Sequence, residues 1–265
     1  MKIPVKTVGI WLINLPKDTE RRVSMETQLT DLGLSYRVFE AVDGKARHAE
    51  LLDAADENAY QRNMGSTLLP GKLGVFASHL EVWKDFTESD YEFALILEDD
   101  VVFHDDFLEA LQTALSAEDH WDLIRFNSIR AKIPVSQGTL GKYRLNAYIG
   151  PFTGNATYLI KKGVAARLLP KLGPQTRALD HELNRFFIHD YRQRGLEPFS
   201  SHPDDGNVST ITGVGSEKVR KFPRHQRIPH YRLKAANYIL RFFYLLRTDA
   251  IPGSKKPLLD TEKTD

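Results

Sequence analysis

The sequence predicts an α/β fold on a mainly parallel sheet: the alternation of its elements predicts it, and length, composition and cysteine content bound it. Short apolar segments alternate with amphipathic helical stretches along most of the chain, the pattern of strands covered by helices. The chain has 265 residues, 42% of them apolar and 27% charged, enough to bury a substantial core. It holds no cysteine, which excludes a disulfide framework, thiolate zinc sites and a cysteine nucleophile, and which suits a reducing cytoplasm.

The elements follow in order. "MKIPVKTVGIWLINL" has too short an apolar run, and no small-residue cleavage site, for a signal peptide; its "VGIWLINL" reads as the first strand. "DTERRVSMETQLTDLG" is a helix with Asp18 or Thr19 as its cap, an apolar row of Met25, Leu29 and Leu32, and Gly33 at its end. "YRVFEAV" is a second strand closing on an Asp43-Gly44 turn, and "ARHAELLDAADENAYQR" is helical. After a loop with Gly65, Pro70, Gly71 and Gly74, the helix "GVFASHLEVWKDF" leads into an acidic strand. "WDLIRF", "YRLNAYI" and "ATYLI" are further strands, with helices at 161–169 and about 181–194.

The acidic strand, "FALILEDDVVF", raises the question of why an apolar segment carries Glu98, Asp99 and Asp100 in succession. Capping does not need them, because Asp106 followed by Glu109 already makes a capping-box pattern for "FLEALQTAL". Side chains two apart in a strand share a face, so Glu98 and Asp100 are expected together with Asp99 opposite. Two such carboxylates repel unless a cation lies between them. Oxygen ligands suit Mg²⁺ or Mn²⁺, usually with substrate phosphates completing the shell. The strand also lies inside the sheet, and open α/β sheets bind ligands beyond the carboxyl ends of their strands.

Several motifs are rejected. "GSTLLPGKL" has the wrong spacing for a phosphate loop and lacks its Ser/Thr, and "GVGSEK" is a fragment of a dinucleotide fingerprint with no strand before it. No nucleophile elbow or zincin helix is present. His48, His104, His120 and His189 read as surface or structural. His79 precedes the acidic strand and either faces the same pocket or is a core histidine; His202 is either a solvated loop residue or a nitrogen ligand to the metal. Arg21 and Arg22 open a helix where cations oppose the dipole, either as a solvated pair with Arg22 facing Glu26 or beside an anionic ligand. Asp180, in "LDHELNRFF", either caps a helix or accepts a proton from a sugar hydroxyl.

Taken in order, "INLPKDTERR", "AVDGK", "GKLGVFASHLEVWK", "LILEDDVVF", "TGNATYLI" and "LDHEL" resemble glycosyltransferase family 25, over roughly residues 8 to 211. The resemblance implies a GT-A fold, a UDP-sugar donor, usually UDP-galactose, Mn²⁺ or Mg²⁺ as cofactor, and inversion at the anomeric carbon. The D-x-D motif of such enzymes stands here as Glu98-x-Asp100, with Asp100 on the metal and Glu98 on the metal or the donor. Asn14, Leu15, Arg21, Asp43, Lys72, Ser78, His79 and Asp99 would border the nucleotide. Thr153, Gly154, Asn155 and Glu182 would lie on the sugar side, and Asp180 would be the base, with Glu182 or His202 next in line. "PFSSHPDDGNVSTI" departs from the family pattern at His202.

The overall charge of +1 hides an asymmetry. Residues 1–215 hold 24 Lys/Arg against 30 Asp/Glu, whereas 216–256 hold 11 against 2. Two units are therefore expected, a catalytic domain at 1–215 and a basic extension at 216–265. "RIPHYRLKAANYILRFFYLLR" is too short and charged to span a bilayer; it either docks on the catalytic domain or lies against an anionic membrane. No nucleic-acid module accompanies the charge. The expected function is transfer of a hexose to a lipooligosaccharide acceptor at the cytoplasmic membrane face. A metal-dependent nucleotidyltransferase or phosphohydrolase, and a non-catalytic carbohydrate- or membrane-binding module, are the alternatives.

Overall fold

Strand β1 (Val8–Asn14) shows why a central strand here reads as a continuous apolar run: both of its faces are covered. Trp11 and Ile13 enter one hydrophobic cluster, and Ile10 and Leu12 the other. The computed structural model describes residues 8–204, 219–248 and 258. After β1 come α1 (Thr19–Asp31), β2 (Arg37–Glu40), α2 (His48–Asp53), α3 (Glu57–Met64), α4 (Pro70–Glu88), β3 (Phe93–Glu98), β4 (Val101–Phe103) and α5 (Phe107–Ser116). The second half holds β5 (Leu123–Arg125), β6 (Arg130–Ala131), β7 (Pro134–Leu140), β8 (Tyr143–Tyr148), β9 (Phe152–Thr153), β10 (Thr157–Lys161), α6 (Lys162–Leu168), α7 (Leu179–Leu183), α8 (Phe186–His189), β11 (Gln193–Glu197), β12 (Ser201–Pro203) and α9 (Ile228–Arg247).

Eight strands form one sheet in the order β2-β1-β3-β10-β5-β11-β8-β7. Six of them run the same way, and β10 and β8 are reversed. The ends of β1, β3 and β5 and the start of β10 consequently share one edge. On one sheet face lie Trp83 and Phe86 of α4, Val164 of α6 and Tyr244 and Leu245 of α9; on the other lie Met25 and Leu29 of α1 and Phe107 and Leu111 of α5.

Four local expectations are corrected. The stretch "ARHAELLDAADENAYQR" breaks into α2 and α3 because the Asp56 side chain accepts from Ala59 N and starts a new helix. The helix foreseen to about residue 194 ends at His189, and Gln193–Glu197 instead joins the sheet between β5 and β8. Asp106 makes no capping bond and accepts from the Tyr143 hydroxyl. Finally, the acidic strand stops at Glu98; Asp99 and Asp100 form a turn, and β4 pairs with β12 in a separate small sheet. The expected boundary at 215/216 and the fragment "GVGSEK" lie outside the described residues.

Candidate active site

The site grows from two crowded places at the shared sheet edge. The first is the turn after β2. A Cβ on Gly44 would lie 1.9 Å from the Pro70 carbonyl oxygen, and one on Gly74 would lie 2.6 Å from the Val42 carbonyl oxygen. Only glycines let this loop rest on the first turns of α4. Ser78 fixes the contact, accepting from Val42 N and donating to the Gly74 carbonyl, both at 2.8 Å. It is buried and both bonds stay within the protein; its work is to hold the wall. Outside that wall opens a cleft of about 550 Å³ lined by Leu15, Pro16, Lys17, Val42, Asp43 and Arg47, among others. Asp43 faces Lys17 at 2.7 Å and accepts from Lys45 N and Ala46 N, and Lys17 first, then the Lys45 amide, hold its pKa below the ordinary value.

The second is the acidic turn, where each carboxylate has a different environment. Asp99 takes Asn14 Nδ2 at 2.8 Å and Arg21 at 3.3 Å; burial raises its pKa and these two partners oppose the rise. Arg21 thus finds its anion inside the protein, while Arg22 pairs with Glu26 at 2.8 Å. Glu98 is held by His79, whose Nε2 stands 3.3 Å from Glu98 Oε1. Behind it, Trp83 Nε1 donates to the Tyr158 hydroxyl, which is 2.8 Å from His79 Nδ1. The indole can only donate, so the Tyr158 proton is directed at Nδ1, and the proton of His79 is assigned to Nε2, facing Glu98. His79 is thus buried, with one ring nitrogen on Tyr158 and the other on Glu98.

Asp100 has no such support. Its Oδ1 is buried and has no hydrogen-bond partner, and burial, then the charges of Glu98 and Asp99, raise its pKa to about 7. The strand-period argument that joined Glu98 to Asp100 fails at the turn, yet the turn brings all three acids together. Among the described residues no three His, Asp or Glu side chains form a ready cage. An orphan carboxylate oxygen beside a second acid can take a divalent cation that keeps open positions for phosphate oxygens. His202 sits opposite Val102 in the small sheet, where its Nδ1 lies 2.8 Å from His104 Nε2; two residues on, Asp204 N donates to the Asp100 carbonyl at 2.7 Å.

Around this turn further buried polar atoms lack partners: Asn127 Nδ2, Asn155 Oδ1, Thr157 Oγ1 and Ser200 Oγ. The backbone ties them to one place, since Glu98 N donates to Ala156 O, Thr157 N to Asn127 Oδ1 and Ser201 N to Phe126 O. Buried polar groups normally find partners, so a polar ligand suits this spot. Asn155 was expected here; Asn127, Thr157 and Ser200 were not, because single polar residues in "RFNS", "NATYL" and "FSSHP" carry no spacing signal. Thr153 is buried in β9, and Gly154, at φ +101°, lets the backbone pass 2.9 Å from Ile129 N, measured to where its Cβ would be.

Arg125 is fully buried beside Tyr158. Its guanidinium lies 4.7 Å from the Phe152 ring and donates to the Phe152 carbonyl, with Nε and Nη2 unpartnered. Burial lowers its pKa and the charge of Asp180 is among those opposing the loss. Asp180 lies in the first turn of α7, not at its cap, which is Ala178. Burial resists ionisation of Asp180, but His181, Lys72 and Arg125 outweigh it and leave the pKa below the ordinary value. Lys72 and Asp180 thus share this electrostatic neighbourhood. Glu182 differs: Arg177 at 3.2 Å, Arg185 at 3.2 Å and His189 at 2.9 Å enclose it, which makes it the centre of a buried ionic cage.

The sequence pattern of glycosyltransferase family 25 (LPS biosynthesis protein) matches residues 8–181. Among similar proteins, a glycosyltransferase 25 family member of Aedes aegypti is 27% identical over 78% of this chain and 39% of its own length. Procollagen galactosyltransferase 2 of Homo sapiens is 27% identical over 73% of this chain and 34% of its own. A probable inactive glycosyltransferase 25 family member 3 of Bos taurus is 27% identical over 84% and 46% respectively. The chain thus spans between about a third and a half of the length of these relatives. The family match takes in the cleft, the acidic turn and Asp180 alike, and by it this chain belongs to glycosyltransferase family 25.

Proposed function

We propose that the protein is a GT-A-type, metal-dependent, inverting galactosyltransferase that moves galactose from UDP-galactose to a hydroxyl of a lipooligosaccharide. The observation that carries this reading is the orphan oxygen of Asp100 in an acidic turn that Asn14, bonded to Asp99, ties to Leu15 of a nucleotide-sized cleft. Galactose is favoured by the procollagen galactosyltransferases among the relatives, and the acceptor class by the family's description as LPS biosynthesis proteins.

Glu98 and Asp100 would hold Mn²⁺ or Mg²⁺, which when bound neutralises the charge of a departing diphosphate. Leu15, Lys17 and Asp43 would receive the nucleoside, and Asn155, Asn127 and Thr157 offer hydrogen bonds to the sugar diphosphate. Asp180 would take the proton of the attacking hydroxyl as that oxygen bonds to the anomeric carbon and the bond to UDP breaks, one displacement with inversion. Its lowered pKa keeps it ionised and ready to accept a proton, though it also makes it a weak base.

The test is incubation with UDP-galactose, Mn²⁺ and a lipooligosaccharide acceptor. UDP release that depends on acceptor and metal is expected. Release of pyrophosphate from a nucleoside triphosphate and a sugar phosphate instead would replace this reading by nucleotidyl transfer, and no turnover with bound donor would place the chain with the probable inactive relatives.

A further inference from the structure

Helix α9 presents two sides with different duties. Arg241 is buried and donates from Nε to Asn184 O at 2.9 Å and from Nη1 to Ile149 O at 3.1 Å. Tyr244 donates its hydroxyl to Asp190 at 3.1 Å, and Leu245 is buried in the main cluster. These contacts fix the rotation of the helix on the domain. The opposite side is apolar and in water: Ile239 is 56%, Phe242 43%, Phe243 61% and Leu246 52% exposed. At 3.6 residues per turn these four fall within about 100° of arc. Of the eleven exposed large hydrophobic residues among those described, seven lie on this helix. A patch of this kind marks an interaction surface.

Charge selects the partner. Residues 219–248 contain eight Lys/Arg and no Asp or Glu, and Arg232, Lys234 and Arg247 are exposed on the helix that carries the apolar stripe. Among the described residues no helix is long and apolar enough to cross a membrane. An apolar stripe with Arg232 in line with it and Arg247 beside it, on a helix of that kind, fits the headgroup boundary of an anionic bilayer. We infer that α9 is a pre-folded lipid-docking face that lies in the plane of an anionic membrane with Ile239, Phe242, Phe243 and Leu246 inserted. Arg241 bonds the backbone of Asn184, the C-cap of the helix that carries Asp180. Docking in this pose therefore holds the Asp180 region at a set height above the lipid.

The experiment is co-sedimentation of the full chain with vesicles of phosphatidylcholine alone or mixed with phosphatidylglycerol. Wild type is expected to bind the anionic vesicles at least tenfold better than the neutral ones. Phe242→Ser/Phe243→Ser/Leu246→Ser should lower that binding at least tenfold, and Arg232→Gln/Arg247→Gln should lower it and flatten its salt dependence. All five positions are exposed, so melting temperature and circular dichroism should stay at wild-type values. Equal binding by wild type and the serine variant, or equal binding to both vesicle types, overturns the inference. So does a lipid-free dimer in ultracentrifugation that the serine variant dissolves, which would give this face to a second copy. Vesicle binding is read without donor, so loss of UDP release in an otherwise lipid-binding protein would count against the proposed function and not against this face.

Discussion

At Asp100 the folded chain keeps a carboxyl group where burial and two neighbouring acids oppose its charge. Its pKa rises from an ordinary 3.8 to about 7, so between those values the folded state holds a proton that the unfolded chain has lost. Stability from this group accordingly falls as pH rises through that window and stays lowered above it. Asp100→Asn should therefore raise the melting temperature at pH 8 in chelator and flatten the pH dependence above 4, while turnover falls by several orders of magnitude. Turnover within tenfold of wild type would remove the acid from the mechanism. Asp180→Asn should leave UDP-galactose binding, read by thermal shift, unchanged and lower transfer by about 10²–10⁴-fold; wild-type transfer would disqualify it as the base. Glu98, Asp99 and Asp100 were legible because three acids ending an apolar run conflict with burial. Arg125 was not, since an arginine closing "WDLIR" looks like any strand end until its burial is known.

Between residues and the whole lie the elements that aim them. The line Trp83, Tyr158, His79, Glu98 joins α4, β10 and β3. Removing its middle hydroxyl in Tyr158→Phe leaves the ring volume intact but frees the His79 tautomer. Mn²⁺ affinity of the proposed Glu98–Asp100 site, measured by titration calorimetry, should weaken about tenfold with the fold retained; unchanged affinity would reduce the line to packing. The α7–α8 pair is bound by another group. Burial opposes the charge of Glu182, but His189, then Arg185 and Arg177, lower its pKa below the ordinary 4.5. Its stabilisation is present above that value and is lost as pH falls below it. Glu182→Gln should cost about 3–5 kcal/mol at pH 7 in urea unfolding, and the cost should shrink as pH is lowered below 4.5. The sequence offered Glu182 as a reserve base; two arginines and a histidine gathered from other positions enclose it. Helix and strand patterning located most elements, but Gln193–Glu197 reads Gln-Arg-Gly-Leu-Glu, with a single large apolar residue to mark it as a strand, and is nevertheless buried between β5 and β8.

For the molecule as a whole, the charge asymmetry suggested an appended basic extension, while Tyr244 and Leu245 of α9 complete the same cluster as Trp11 and Trp83. Tyr244 lies edge-on to Phe186 at 5.4 Å. Ending the chain at Arg227 should uncover these contacts. With about 1.5–3 kcal/mol per large apolar side chain, and about 2–4 °C per kcal/mol at this size, the melting temperature should fall by roughly 10 °C. A truncated protein with the wild-type melting temperature would show α9 to be energetically separate. The sequence by itself determined the α/β class, the family and the position of the three consecutive acids, because apolar periodicity and an ordered set of motifs are local properties of the chain. Only the tertiary structure decided which acid is left without a partner, which is caged, and which face of α9 meets water. Those depend on charges and carbonyls brought together from segments distant in sequence, and burial, which sets their energy, does not exist before the chain has folded.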